Sequence, residues 1–561
     1  MRPILAGLVG FVLLTTLGAL AQDPASLTTR PERTDYRETS RYDDVVAFME
    51  AVDRASDRIR LTTFGYTFEG RSLPLAVVGD VADASPEAVL ASGKTRVYVQ
   101  GNIHAGEVEG KEAMQMMLRA LARGEHREWL DRMVLLIAPI YNADGNERIR
   151  LNNRPRQHGP VGGMGQRPNA QDYDLNRDHM KLDSPEARSL ARLYAQYDPH
   201  VAIDLHTTNG SRHAYYLTYA PPYHPVTDAG IDALLRHEWL PAVTRAVKQK
   251  YDWDFYYYGN LGGGGGFGGG FPGGGRGEPA GRGQAAGRGD PAGRGQAAGR
   301  GGAPEPGWYT YDYRPRFNTN YVGLRNRIGL LSETYAYATF EDRIRASYRF
   351  VEESLNFAHA NADRLREITA AADARPLVGQ RLATRARLKR SDEMVDILIG
   401  DVVEERNPYT GAVMMRRIDV RKPQKMYEWG SFEASETERV PATYYLPPTL
   451  TAAIERLEAH GLRLSRLDAA RTVEVEQFRI DTNEAAPREF QGHQERTVTG
   501  AWEPASADLP AGTVAVDMTQ PLARLAFILL EPRSDDGLLD WNVLDSALKD
   551  AKVYPVLRSR N

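Results

Sequence analysis

The sequence predicts an α/β fold with a mixed, largely parallel central sheet flanked by helices, followed by a smaller, mainly β C-terminal domain. Three observations point there. Short apolar runs alternate with helix-period segments over the first two thirds of the chain, a glycine-rich block interrupts the alternation once, and from about residue 376 short runs are separated by frequent turn residues.

From Tyr42, YDDVVAFMEAVDRASDRI places apolar residues at helical spacing, and LTTFGYTFEGRSLPLAVVGD reads as short strands parted by glycines. RVYVQGNIHAGE, the helix-like GKEAMQMMLRALARG and MVLLIAPIYNADG then give strand, helix, strand, the order of a parallel sheet. EARSLARLYAQYD and HVAIDLHTT repeat it. RIGLLSETYAYATFEDRIRASYRFVEESLNFAHANADRLREIT adds a buried strand, a loop and one long helix. Farther on, EMVDILIG, TVEVEQFRI, GTVAVDM and LARLAFILLEP read as strands, with a helix at TLTAAIERLEAHG. The expected division is residues 22–375 for the first domain and 376–561 for the second.

Residues 259–306 hold GNLGGGGGFGGGFPGGGRG and a 12-residue repeat, EPAGRGQAAGRG then DPAGRGQAAGRG. Too little apolar surface is present to offset chain entropy, so a disordered insertion is expected. Its five arginines are diluted by three acids, and the net charge of −4 over 561 residues argues against general polyanion binding, so no nucleic-acid partner is expected. MRPILAGLVGFVLLTTLGALAQDPAS reads as a signal peptide, residues 1–21, cut after Ala21, which implies a secreted or periplasmic protein. No later run reaches about 18 apolar residues, so the mature chain is not expected to insert in a membrane. The sequence has no cysteine, which leaves His, Asp and Glu for any metal.

In GNIHAGEVEG, His104 and Glu107 lie just past the carboxyl end of a strand, where open α/β sheets place their ligands. His206, ending the apolar run of HVAIDLHTT, is the best third ligand. Two imidazoles and a carboxylate form a common catalytic zinc set with a fourth position open. His126, His158, His237 and His359 sit in polar or helical contexts, whereas His179, His213 and His224 remain as groups that could support the ligands from behind. His460 and His493 read as surface or packing residues.

Six segments in order, GYTFEGRSLPL, GNIHAGEVEG, PIYNADGN, YDLNRDHM, DLHTT and LLSETYAYATFEDR, resemble the zinc carboxypeptidases of the carboxypeptidase A type across residues 40–365. The resemblance implies one zinc on His104, Glu107 and His206. It implies hydrolysis of C-terminal peptide bonds by zinc-activated water, with Glu333 as general base. Asn176 and Arg177 would grip the terminal carboxylate of a peptide or peptide-like substrate. A further arginine would polarise the scissile carbonyl; Arg156 is preferred, with Arg154 close behind. A tyrosine would close over the substrate; Tyr311, Tyr313 and Tyr321 are candidates, and the spacing to Glu333 favours Tyr311. Asp178 stands where the family carries asparagine, and would either orient Arg177 or disfavour an ordinary terminal carboxylate. The same fold and ligands are also compatible with a zinc amidohydrolase acting on cell-wall peptides or other amide-linked substrates. No G-x-S-x-G occurs, which disfavours a serine hydrolase.

Overall fold

Strands that are apolar along their whole length must be covered on both faces, and helices with one apolar side supply the cover. The computed structural model describes residues 26–208, 210–262 and 306–560; the expected signal peptide and most of the glycine-rich block lie outside the described residues. The strands are β1 (Ile59–Tyr66), β2 (Ser72–Val78), β3 (Thr95–Gly101), β4 (Met133–Ala138), β5 (Val201–Thr207), β6 (Leu217–Ala220), β7 (Phe255–Tyr257), β8 (Asn260–Gly262), β9 (Gly307–Tyr309) and β10 (Ile328–Thr334). Eight of them form one sheet in the order β1-β2-β4-β3-β5-β10-β6-β7. Its centre, β4-β3-β5-β10, is parallel, while β1, β2 and the β10–β6 pair run antiparallel.

Every residue of β3, β4 and β5 is buried. Alternation along β3 sends Val97 and Val99 to one face and Tyr98 to the other. The first face is covered by the helices Tyr42–Ala55, Glu109–Ala122 and Phe340–Ala360, through residues such as Phe48, Met114, Met117 and Phe350. The second is covered by the helices Pro185–Gln196 and Asn318–Leu324. Their Leu190, Leu193 and Tyr321 share a continuous core with Leu457, Phe478, Val514, Phe527 and Trp541 of the C-terminal region.

The C-terminal region is built around long hairpins. Arg471–Ala485 pairs with Arg496–Leu509 inside a six-stranded sheet, and Met394–Arg406 pairs with Val413–Trp429. The second hairpin is joined to the first part of the chain by backbone bonding. Tyr427, Glu428 and Trp429 run parallel to β9, which pairs antiparallel with β8.

Three expectations change. LARLAFILLEP is a buried helix, Ala523–Leu530, because a short run buried on all sides carries no periodicity to separate helix from strand. The long helix after β10 breaks at Asn361 into Phe340–Ala360 and Ala362–Asp373. The glycine-rich block does not begin at 259: Asn260–Gly262 is strand β8, and residue 306 leads directly into β9. Gly259 allows this, since a Cβ there would stand 2.3 Å from the indole nitrogen of buried Trp308, which donates to the Tyr257 carbonyl at 3.1 Å.

Leu457 lies fully buried in the helix Thr451–Ala459, in the core shared by both regions. Leu457→Ala should cost about 2–5 kcal/mol. In calorimetry it should lower one common transition; loss of a separate C-terminal transition alone would contradict a shared core.

Candidate active site

The three central strands β3, β5 and β10 end side by side, and each carries a site residue at or just past its carboxyl end. Gly101 of β3 is in register with Leu205, next to His206, and Glu333 of β10 is in register with His206. The turn after β3 brings His104 and Glu107 over the same end.

His104, Glu107 and His206 are all buried, with one ligand atom from each lying within 4.8 Å of the others. His104 Nδ1 lies 3.0 Å from Glu107 Oε1, His206 Nδ1 lies 2.9 Å from Glu107 Oε2, and the two ring nitrogens are 3.2 Å apart. Both imidazoles thus turn Nδ1 toward one point. Their other nitrogens are backed by carboxylates: His104 Nε2 is 3.0 Å from Asp174 Oδ1, and His206 Nε2 is 3.1 Å from Asp204 Oδ2. For His104 this is the arrangement in which a histidine serves a metal, with the far nitrogen held by an acceptor that fixes the ring, while His206 Nε2 has an ion-pair contact with Asp204. The donor set, two nitrogens and a carboxylate, fits zinc.

Burial alone would raise the Glu107 carboxyl. The charges of His104 and Arg154 and the bonds from both histidines instead hold it well below the usual range. Burial likewise opposes the charged form of His206, yet Asp204 and Glu107 push its pKa well above the ordinary value. Asp174 is held low against its burial by Arg167, His104 and Arg177. These charges are mutually compensating, as buried ionised groups must be.

Glu333 differs. Burial, with help from the charge of Glu107 and against that of His206, pushes it up to about 8. Its Oε2 is buried with no hydrogen-bond partner among the described residues.

The two candidate arginines are placed differently. Arg154 reaches Glu107 with its guanidinium, whereas Arg156 lies against strand Val413–Trp429, its carbonyl accepting from Met415 N at 3.0 Å and its charge beside Tyr337. The two residues diverge because Arg154 takes a left-handed backbone, φ 49°, in a tight turn closed by Gln157 N to Arg154 O. Arg167, absent from the sequence reading, is the second arginine here: its Nε donates to Asp174 Oδ2 at 2.8 Å, and its charge acts on both Glu107 and Glu333. The side chains of Arg154 and Arg167 are 23% and 43% exposed, so the ligand cluster opens to solvent on their side.

Asn176 and Arg177 lie in a single 3-10 turn, Leu175–Arg177, capped by Asp174. Asn176 Oδ1 accepts from Asn318 N at 2.9 Å, which leaves its amide nitrogen as the donor. The Arg177 guanidinium stacks 4.0 Å above the Phe317 ring. Asp178 accepts from Lys181 Nζ and from the backbone of Asp183 and Ser184, all at 2.8–2.9 Å, and so shapes the following loop.

The tyrosines separate. Tyr313 donates to Asp535, and Tyr321 pairs with His460 Nδ1 at 2.9 Å, so both tie the site to the C-terminal region. Tyr311 packs between Phe317 and Tyr223, close enough to feel the charge of Glu333. Of the supporting histidines expected, His179 lies near Asp174 and Asp204 and is pushed down to about 4 by burial, whereas His213 sits among Tyr215, Trp308 and Tyr335, and His224 against Tyr313. His460 is fully buried, in keeping with the packing alternative of its two expected places.

The glycines of GNIHAGEVEG make room for neighbouring protein. A Cβ on Gly106 would stand 2.8 Å from both Arg154 Nε and the Gly165 carbonyl. Gly106→Ala should therefore cost about 1–3 kcal/mol in denaturant unfolding; a neutral result would mean that Arg154 does not lie across this turn.

Residues 45–219 match the zinc carboxypeptidase (Peptidase M14) family, a span that includes His104, Glu107 and His206. Carboxypeptidase 2 of Trichophyton tonsurans is 24% identical over 503 residues, covering 87% of this chain and 81% of its own. Carboxypeptidase 2 of Trichophyton rubrum is 23% identical over 568 residues, covering 97% and 89%. Among solved structures, a metallo-carboxypeptidase from Burkholderia cenocepacia is similar at 17% identity and a TM-score of 0.38, over 58% of this chain and 70% of that one. Residues 45–219 thus carry a zinc carboxypeptidase domain with the His-Glu-His cluster inside it, and the chain is a zinc metallopeptidase.

Proposed function

We propose that this chain is a secreted metallocarboxypeptidase that releases C-terminal residues from peptides, with Glu333 as general base and Asn176 and Arg177 holding the terminal carboxylate. The observation that carries the reading is the state of Glu333: a half-buried residue whose Oε2 is buried without a hydrogen-bond partner among the described residues, in register with His206 on the neighbouring strand. His104, Glu107 and His206 would hold the zinc. When bound, zinc supplies a Lewis acid for the scissile carbonyl, and its charge favours the ionised form of Glu333.

Glu333 then takes a proton from the attacking water and returns it to the leaving amine, as an ionised carboxylate within hydrogen-bond reach of that water can. Arg154 and Arg167, on the open side, face the charge that develops on the carbonyl oxygen. Arg177 presents a planar fork to the substrate carboxylate, and Phe317 beneath it limits its freedom. The secretory reading rests on residues 1–21. Among the described residues no helix is long and apolar enough to cross a membrane.

Glu333→Gln should retain one zinc per chain by elemental analysis while kcat falls by about 10²–10⁴. Full activity in that variant would sink the base assignment. Amidating the C-terminus of a small peptide should lower kcat/KM at least about tenfold in the wild type, because Arg177 then loses a charged partner. Cleavage of cell-wall peptides with no action on plain peptides would instead favour an amidohydrolase on the same scaffold.

A further inference from the structure

We propose that Gln491, in the C-terminal region, is a positioning residue for the zinc site and acts through Asp174. Phe490 and His493 exchange two backbone hydrogen bonds, of 2.7 and 3.0 Å, which makes Gln491 and Gly492 the centre of a two-residue hairpin turn. Both have positive φ, 52° and 80°. Such a turn suits Asn-Gly or Gly-Gly, and a left-handed glutamine costs about 1 kcal/mol. The side chain offers a reason for its presence: Gln491 Oε1 accepts the Asp174 backbone N–H at 2.8 Å.

Asp174 is where the site's parts meet. Its Oδ1 lies against His104 Nε2 and accepts from Asn176 N at 3.0 Å, and its Oδ2 accepts from Arg167. Fixing its backbone therefore fixes a ligand imidazole and the turn bearing Asn176 and Arg177 together.

The turn itself is held in place. A Cβ on Gly492 would stand 3.3 Å from the Tyr173 ring, and His493 Nε2 lies 2.7 Å from Asp183 Oδ2. Arg316 sits over the rings of Phe490 (5.2 Å) and Trp541 (4.6 Å), with its guanidinium on Asp536 and Glu495. Arg316 precedes Phe317, on which Arg177 stacks. One C-terminal turn thus braces the segment that carries the proposed carboxylate clamp and the one that bears Phe317 beneath it. The zinc part of the inference is independent of the substrate, and the kinetic part rests on the proposed peptidase reading.

The test uses the full chain as Gln491→Gly, which removes the acceptor and suits the turn, and Gln491→Glu, which keeps an acceptor oxygen. Zinc loss to a chelator, Tm, and KM and kcat on a small peptide with a free carboxylate are measured. Gln491→Gly should lose zinc about tenfold faster with Tm unchanged or higher, and should raise KM more than it lowers kcat. Gln491→Glu should stay within about threefold of wild type in zinc retention. Unchanged zinc retention in Gln491→Gly, or equal loss in both variants, would overturn the proposal. If the wild type is indifferent to amidation of its substrates, the clamp reading fails and zinc retention alone decides the role of Gln491.

Discussion

Two buried carboxylates, Asp174 and Asp204, set the orientation on which the site depends. Each stands behind one imidazole, so that both Nδ1 atoms face Glu107. Their provenance differs. Asp204 shares a strand face with His206, two residues away on β5, and Gln100 and Asn318 fix it from the neighbouring strand and helix. Asp174 comes from a loop, 70 residues from the histidine it supports. The sheet dictates one half of the metal site, and the packing of the 165–184 loop dictates the other.

That difference explains what could be read from sequence. His104, Glu107 and His206 sit at the ends of adjacent apolar strands, so hydrophobic runs and order along the chain bring them to attention without knowledge of tertiary contacts, whereas Glu333 came to attention through the family resemblance. Asp204 was not singled out, although the two-residue period of a strand places it on the face of His206. Arg167 and Gln491 were not legible, because the paths of their loops are set by partners far away in the chain. Arg154 and Arg156 were indistinguishable for a more local reason: one left-handed residue decides which of two near neighbours reaches Glu107. The three tyrosines separate only through Asp535 and His460, both beyond the resemblance that brought those tyrosines to attention.

The fold was legible to a similar extent. Parallel strands and amphipathic helices announce themselves by period, and the helix Ala523–Leu530 does not, since it is apolar on every side. The glycine-rich block illustrates a further limit. Composition marks a stretch that cannot make a core, but its edges depend on whether the flanks find partners, and β8 and β9 find each other. Because Gly262 pairs with Gly307, the chain leaves and re-enters this sheet at adjacent points.

The C-terminal region cannot be treated as an appendage for an energetic reason. Apolar residues on one face of the catalytic sheet and its helices, among them Leu190, Leu193 and Tyr321, are buried in the same core as Leu457, Val514 and Phe527. Removing residues 376–561 would return that face to water at about 25 cal/mol per Å² of apolar surface, a loss large against the marginal stability of any domain. It would also strip Arg316 of Asp536 and Glu495, leaving a buried cation without its compensating charges beside Phe317. Polar contacts such as that of Gln491 can then be selective in effect, because the shared core already holds the two regions in register. A single hydrogen bond of about 1 kcal/mol could not dock a domain, but between elements fixed by packing it can decide where one backbone N–H, and the carboxylate beside it, comes to rest.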